Sequence, residues 1–307
     1  MQRTPVIDPP SGDDPQVMAL AHRYAGHPAA PSQWDAAALA REPVLPAFRS
    51  DAAYMRQLGT ESEYRVTYDY MRRYDRLGLA DRLDDDGAFG ARGCRFDGRL
   101  WTRDLLDSIS ELNFLADELP DIADGALSIL DIGAGYGRFA HRCRVALPRS
   151  RLTLCDAVPL STALCRFYLA YRRIGAAEVI PLDLVETALH AQLFDLAVSI
   201  HAFNEMPAAA VGWWLGQLAR LNVPFLFLVP NDVQGLRTYE ADGSRLPFDR
   251  FLCEAGYVLQ VARDKYRYDA TAQRDGLYPG MYMIYLRHPE RVRAPNGRWR
   301  QTGAGQT

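Results

Sequence analysis

The sequence predicts an α/β fold, a parallel sheet buried on both faces and preceded by a helical segment. Three observations carry this. From about residue 126 onward, short apolar runs alternate with helical stretches. One of those runs passes directly into three glycines at alternate positions, Gly133, Gly135 and Gly137, and then into a helix. Between about Trp34 and Leu119 the apolar spacing is helical, and no run there reads as a strand.

The elements follow in chain order. Residues 1–34 are rich in Pro, Asp, Gly and Ala and read as an extended, flexible arm. Residues 35–120 read as a helical cap or lid. Tyr54 and Leu58 stand four apart, and Tyr64, Tyr68 and Met71 follow at steps of four and three. The loop Asp84–Gly93 interrupts them, and Asp84, Asp85 and Asp86 read as an acidic solvated turn. Leu105, Leu106, Ile109, Leu112, Leu115 and Ala116 then mark a second helix that stops before Pro120. Two roles fit this cap. It is a lid offering Tyr64, Tyr68, Trp101 and Arg103 to an acceptor, or an arm for homodimer formation.

Residues 121–288 hold the sheet. Strands are expected at Leu127–Ile132, Leu152–Cys155, Glu178–Leu182, Phe194–Ile200 and Pro224–Val229, with helices at Arg138–Leu147, Leu160–Arg173 and Ala208–Leu221. A helix Phe248–Ala255 and two strands, Tyr257–Arg263 and Met281–Leu286, complete it. No helix is expected between those two strands, which makes them a hairpin with one strand antiparallel to the rest. Residues 289–307 are polar, rich in Arg and Gly, and read as a flexible tail.

Composition excludes several classes. The chain has 307 residues, of which 48% are hydrophobic and 24% charged, which rules out wholesale disorder, collagen-like repeats and a small disulfide scaffold. A net charge of −3 leaves no basic footprint for nucleic acid. Lys265 is the single lysine among 35 Lys and Arg. That imbalance reads as codon usage, and Lys265 as a surface cation. None of the five cysteines forms a C-x-x-C pair, so neither a zinc site nor a disulfide framework is expected. Cys143, Cys165 and Cys253 read as ordinary buried thiols. The first residues lack the apolar core of a signal peptide, and the longest apolar run, Val223–Val229, is too short to cross a bilayer as a helix. The expected setting is a reducing cytoplasm, with no membrane partner.

The chemistry concentrates where strands end. In Ile129–Arg138 (ILDIGAGYGR) a strand enters the glycine loop. Glycine serves where the backbone turns sharply or must approach a ligand without a Cβ in the way. The helix start that follows offers free N–H groups. A dinucleotide fold wants G-x-G-x-x-G; the spacing here is G-x-G-x-G. The second strand ends at Asp156, 19 residues after Gly137. An ionised carboxylate there can accept hydrogen bonds from both hydroxyls of a ribose. The third strand ends at Pro181–Leu184 (PLDL) and the fourth at Ile200–Pro207 (IHAFNEMP). Ligands bind at the carboxyl ends of parallel strands, so His201–Glu205 should face the reacting group.

With Asp131 two residues before the first glycine, the loop resembles motif I of the class I S-adenosylmethionine-dependent methyltransferases. The G-Y-G-R of residues 135–138, the N-E-M of residues 204–206 and Asn231 after the fifth strand further resemble the sugar O-methyltransferases, over roughly Trp101 to Asp232. The resemblance implies a Rossmann-like sheet of seven strands with the last antiparallel. It implies S-adenosyl-L-methionine as cofactor, leaving as S-adenosyl-L-homocysteine, and a sugar or glycoside hydroxyl as acceptor. On the cofactor side it assigns Asp131, Gly133, Gly135, Gly137, Asp156, Asp183 and Leu184, with Asp183 at the adenine amino group. On the acceptor side it points to Tyr136, Arg103, Phe203, Asn204 and Asn231. A nonsugar metabolite methylated at oxygen, nitrogen or carbon, and a non-catalytic partner protein, stay open as alternatives.

Methyl transfer from a sulfonium is an in-line displacement. The protein must orient the acceptor and manage one proton. An alcohol needs a general base within hydrogen-bond reach. The candidates are His201, whose ordinary pKa lies near the working pH, and Glu205. Glu205 could instead orient the imidazole or complement a helix dipole. Metal is not expected, because Asn231 and Asp232 find no third ligand in the sequence.

Overall fold

The computed structural model describes residues 8–35, 38–39, 47–50, 58–119, 126–190, 192–231, 234–287, 291–293 and 299–301. A seven-stranded sheet organises the molecule. Its strands are β3 (Ser128–Ile132), β4 (Arg151–Cys155), β5 (Ala177–Val179), β6 (Leu196–Ile200), β7 (Phe225–Val229), β8 (Tyr257–Asp264) and β9 (Met281–Arg287). They lie in the order β5-β4-β3-β6-β7-β9-β8. The first five pair in parallel; β9 runs antiparallel to both β7 and β8. The chain order reverses beside β3, so the carboxyl ends of β3, β4 and β6 open onto one crevice.

The predicted strand–helix alternation holds. α5 (Arg138–Ala146) follows β3, α6 (Pro159–Tyr171) follows β4 and α8 (Ala208–Arg220) follows β6. Helices cover both faces, so the central strands are mainly apolar on both sides, as in the fully buried Leu130, Ala197 and Leu226. The helical segment is not separate from this core. α2 (Glu61–Tyr74) and α4 (Arg103–Glu118) bury Tyr64, Tyr68, Met71, Ile109 and Leu112 in one cluster with Ile129, Val198 and Phe227 of the sheet.

Several expectations need correction. The arm contains a helix, α1 (Pro15–Tyr24), started by the Asp14 side chain accepting from the Gln16 N–H, with Pro at the first turn. The segment read as all-helical contains a hairpin, β1 (Gly93–Phe96) with β2 (Arg99–Thr102). Its two-residue turn is Asp97-Gly98, both at positive φ (51° and 76°), a sequence signal that favours a hairpin. The acidic turn is partly interior: Asp85 is buried against Arg49 and Arg142, because two guanidinium groups replace its water. A short helix, α10 (Ala270–Asp275), does stand between β8 and β9. It is capped by Asp269, whose carboxylate accepts from two N–H groups. In the tail, β10 (Arg291–Arg293) pairs with β11 (Trp299–Gln301). Cys253 is exposed rather than buried, on α9 (Asp249–Glu254). Tyr54 and Asp232 lie outside the described residues. Among the described residues, no helix is long and apolar enough to cross a membrane.

Candidate active site

The glycine loop shapes the floor of the crevice. Gly133 (φ 76°) has no room for a side chain, since a Cβ there would meet the Ala202 Cβ at 2.1 Å. Gly137 (φ 90°) starts α5 in the left-handed region, where glycine alone is unstrained. The N–H of Gly135 donates to Asp156 Oδ2 at 2.8 Å, and that of Val158 donates to Oδ1 at 2.8 Å. Each oxygen keeps a lone pair for a ligand. Burial pushes the Asp156 carboxyl up to about 6 despite these two donors. Asp131 is the more exceptional group. It is buried at the end of β3, its Oδ2 has no hydrogen-bond partner, and burial pushes it up to about 7. Both carboxylates line the crevice.

A second cavity of about 830 Å³ adjoins the first. Its wall includes Asn231, Gln234, Lys265, Tyr266, Tyr278 and Tyr282. Arg103, Asp107 and His201 line both spaces and frame the neck between them.

His201 directly follows β6, with its N–H donating to the Val229 carbonyl at 2.8 Å. Its φ of 70° is unusual for a residue with a side chain. Burial, and then the charge of Arg103, lower the imidazole to about 3. It is therefore neutral across the physiological range, which corrects the expectation of a group titrating near the working pH. Glu205 follows at the end of a short 3₁₀ turn, Ala202–Glu205. Its Oε2 accepts from Trp34 Nε1 at 2.8 Å and its Oε1 from Asn231 Nδ2 at 3.0 Å. Burial still pushes it up to about 7.

The other wall comes from α4. Arg103 Nε donates to Asp107 Oδ2 at 3.0 Å, and its guanidinium stacks 3.9 Å from the centre of the Tyr278 ring. Lys265, expected at the surface, is buried. Its ammonium donates to Asp107 Oδ1 at 2.5 Å and to the carbonyls of Leu277 (3.0 Å) and Tyr278 (3.3 Å). Arg138 grips Glu111 with two bonds, at 2.8 and 2.9 Å. Sequence reading missed Asp107, Glu111 and Lys265. The available signal was Arg103, Asp107 and Glu111 at steps of four, one stripe of a helix whose Leu105, Leu106, Ile109, Leu112 and Leu115 read as core.

Other predicted residues take different positions. Tyr136 lines the crevice, but its hydroxyl donates to Asp104 and accepts from Arg49 Nε at 3.2 Å, so it braces the loop. Phe203 is buried edge-on against Phe248. Asn204 is also interior, and its Nδ2 donates to the carbonyls of Gly235 (2.8 Å) and Arg237 (2.9 Å), which ties down the loop after β7. Asp183 stands outside the crevice lining and accepts two bonds from Arg23 of α1, at 2.8 and 2.9 Å. The Leu184 side chain is 43% exposed. Tyr64, Tyr68 and Trp101 belong to the core, not to a lid face.

No family model matches the chain, and no curated protein matches it. Solved structures do. The 4+2 cyclase SpnF is similar at 15% identity and a TM-score of 0.43, over 75% of this chain and 98% of that one. Magnesium protoporphyrin IX methyltransferase from Synechocystis PCC 6803, with bound S-adenosylmethionine, is similar at 12% identity and a TM-score of 0.43, over 75% and 99%. Precorrin-6y C5,15-methyltransferase from Geobacter metallireducens is similar at 12% identity and a TM-score of 0.39, over 67% and 97%. The sheet itself has the seven strands and the antiparallel last strand that the resemblance to class I methyltransferases implies.

Proposed function

We propose that the protein is an S-adenosylmethionine-dependent O-methyltransferase whose acceptor is the hydroxyl of a sugar, glycoside or similar small polyhydroxylated molecule. One observation carries this. A crevice built on a glycine loop and two buried carboxylates meets a roomy, tyrosine-lined cavity at a neck holding a neutral imidazole. The residues fit the cofactor. Asp131 Oδ2 is a buried acceptor without a partner, suited to an ammonium group, and Asp156 keeps a lone pair on each oxygen for ribose hydroxyls. When bound, the cofactor supplies an electrophilic methyl group.

The remaining chemistry belongs to the chain. The neck holds the acceptor oxygen in line, so alignment supplies much of the rate. Its proton passes to a ring nitrogen of His201. An imidazole lowered to about 3 is a weak base. It suffices because an alcohol oxygen becomes strongly acidic once it bonds to the methyl carbon, so the proton leaves late. Glu205, held by Trp34 and Asn231, fixes the loop that presents His201. Asp107 and the amides of Asn231 and Gln234 supply partners for the other hydroxyls of the acceptor.

The test has two stages. Calorimetry with S-adenosylhomocysteine should show saturable binding that Asp156→Ala abolishes. Methyl transfer from labelled S-adenosylmethionine to a panel of methyl glycosides should then yield a methyl ether. No cofactor binding removes the reading; transfer to an amine or a carbon removes the O-methyl part.

A further inference from the structure

The cavity beyond the neck carries its own charge pattern. Three cations line it, Arg103, Arg237 and Lys265, against four acids, Asp107, Glu111, Asp249 and Asp264. The lysine among them is held wholly by the protein. An ammonium has three N–H groups, and those of Lys265 go to Asp107, Leu277 O and Tyr278 O. Arg103 gives its Nε to Asp107 and its flat face to Tyr278. Arg237 donates to the Gln234 side chain and to the Arg245 carbonyl. What the wall presents to a ligand is mainly acceptors, amides and ring faces. These are Asp107, with one lone pair left on each oxygen, Asp249, Asp264, Asn231, Gln273 and Tyr278.

We infer that the acceptor carries no phosphate or carboxylate: the cavity selects an uncharged or amine-bearing polyhydroxylated ring, with Asp107 accepting from a hydroxyl beside the one methylated. The inference rests on the methyltransferase reading above. A phosphate brought here would add negative charge near Asp249 and Asp264, which stand in the wall outside the ion pairs of Asp107 and Glu111, and find the lysine ammonium already saturated. Hydroxyl donors, in contrast, meet charged acceptors, which make the stronger hydrogen bonds. The reaction that supplies this substrate is therefore one that leaves the sugar free of its activating phosphate, a glycosyl transfer or a phosphoester hydrolysis. Methylation follows that step rather than acting on a nucleotide-activated sugar.

The experiment uses the full chain saturated with S-adenosylhomocysteine. Calorimetric binding of the cofactor product is recorded first, since its failure would remove the methyltransferase reading and not this one alone. Methyl glycosides of the common hexoses and 6-deoxyhexoses are then compared with the matching hexose 1-phosphates, by ligand-observed proton and phosphorus NMR. Saturable binding of at least one neutral glycoside is expected, with the phosphates at least tenfold weaker. Asp107→Asn should weaken the neutral ligand about tenfold. The wild-type comparison stands even if that variant fails to fold. A phosphate that binds as tightly as its neutral partner, or tighter, overturns the inference. So does the absence of saturable binding by any neutral glycoside while S-adenosylhomocysteine still binds.

Discussion

Trp34 Nε1 donates to Glu205 Oε2 at 2.8 Å, across 171 positions of sequence. The N–H of Gln33 beside it donates to the Glu205 carbonyl at 2.8 Å. The end of the N-terminal segment is thus a wall of the crevice, fastened to the loop that carries His201.

Trp34→Phe keeps an aromatic ring at the crevice and removes the N–H. Loss of one hydrogen bond to a buried carboxylate should weaken S-adenosylhomocysteine binding about three- to tenfold, with a smaller effect on thermal stability. Calorimetry and a melting curve on the same sample separate the two. An unchanged affinity would mean that Trp34 encloses the crevice without restraining its ligand.

His201 holds a left-handed backbone, at φ 70°. His201→Ala keeps that strain and loses the ring; His201→Gly loses both. Turnover should vanish in each, with cofactor affinity nearly intact. The glycine variant should be the more stable of the two by about 1 kcal/mol. Because the imidazole is lowered to about 3, wild-type turnover should not fall through a histidine titration between pH 5 and 8. A drop on lowering the pH, centred near 7 and removed by Glu205→Gln, would transfer the role of base to Glu205, whose carboxyl lies near there, as does that of Asp131.

Much of this was readable from the chain. The strand–helix rhythm after residue 126 and the G-x-G-x-G spacing placed the sheet and the crevice floor, because periodicity and glycine placement are local properties. Gly133, Gly137, Asp131 and Asp156 stand where the strand ends put them. Phe203 and Asn204 were misplaced for a tertiary reason. They share a short segment with His201 and Glu205, yet in a 3₁₀ turn neighbouring residues point different ways, and these two point inward. Lys265 was unreadable because its burial depends on two carbonyls and on a carboxylate 158 residues away.

Lys265 is the single lysine of the chain, in a site shaped for a compact ammonium with three acceptors. A guanidinium is planar and wider, so Lys265→Arg should not restore what Lys265→Met loses. The Met variant leaves Asp107 short of a buried partner and should destabilise by about 3–5 kcal/mol, read from denaturant unfolding. Amine-reactive labelling offers an independent check. Lys265 should stay unmodified in the native protein and react fully in denaturant, as followed by peptide mass spectrometry. Rapid native labelling would contradict the burial.

Asp131 and Asp156 make stability depend on pH in an uncommon direction. Burial raises both carboxyls, to about 7 and about 6, from ordinary values of 3.8. The folded state therefore keeps protons that the unfolded chain releases above about pH 4. Where the folded state binds more protons, stability falls as pH rises. Without ligand, these two groups should make the protein lose stability between about pH 4 and 7, and their effect should level off above that. Asp131→Asn removes the larger part of the slope. It should raise stability at pH 8 by up to about 4 kcal/mol, from about 1.4 kcal/mol per pKa unit. The same substitution removes the acceptor assigned to the cofactor ammonium, so S-adenosylhomocysteine binding should weaken tenfold or more. Melting curves from pH 5 to 8, with and without ligand, give both quantities. A variant that is less stable than wild type at pH 8 would mean that the unpartnered Asp131 oxygen is not a strained group, and that its place at the crevice is structural.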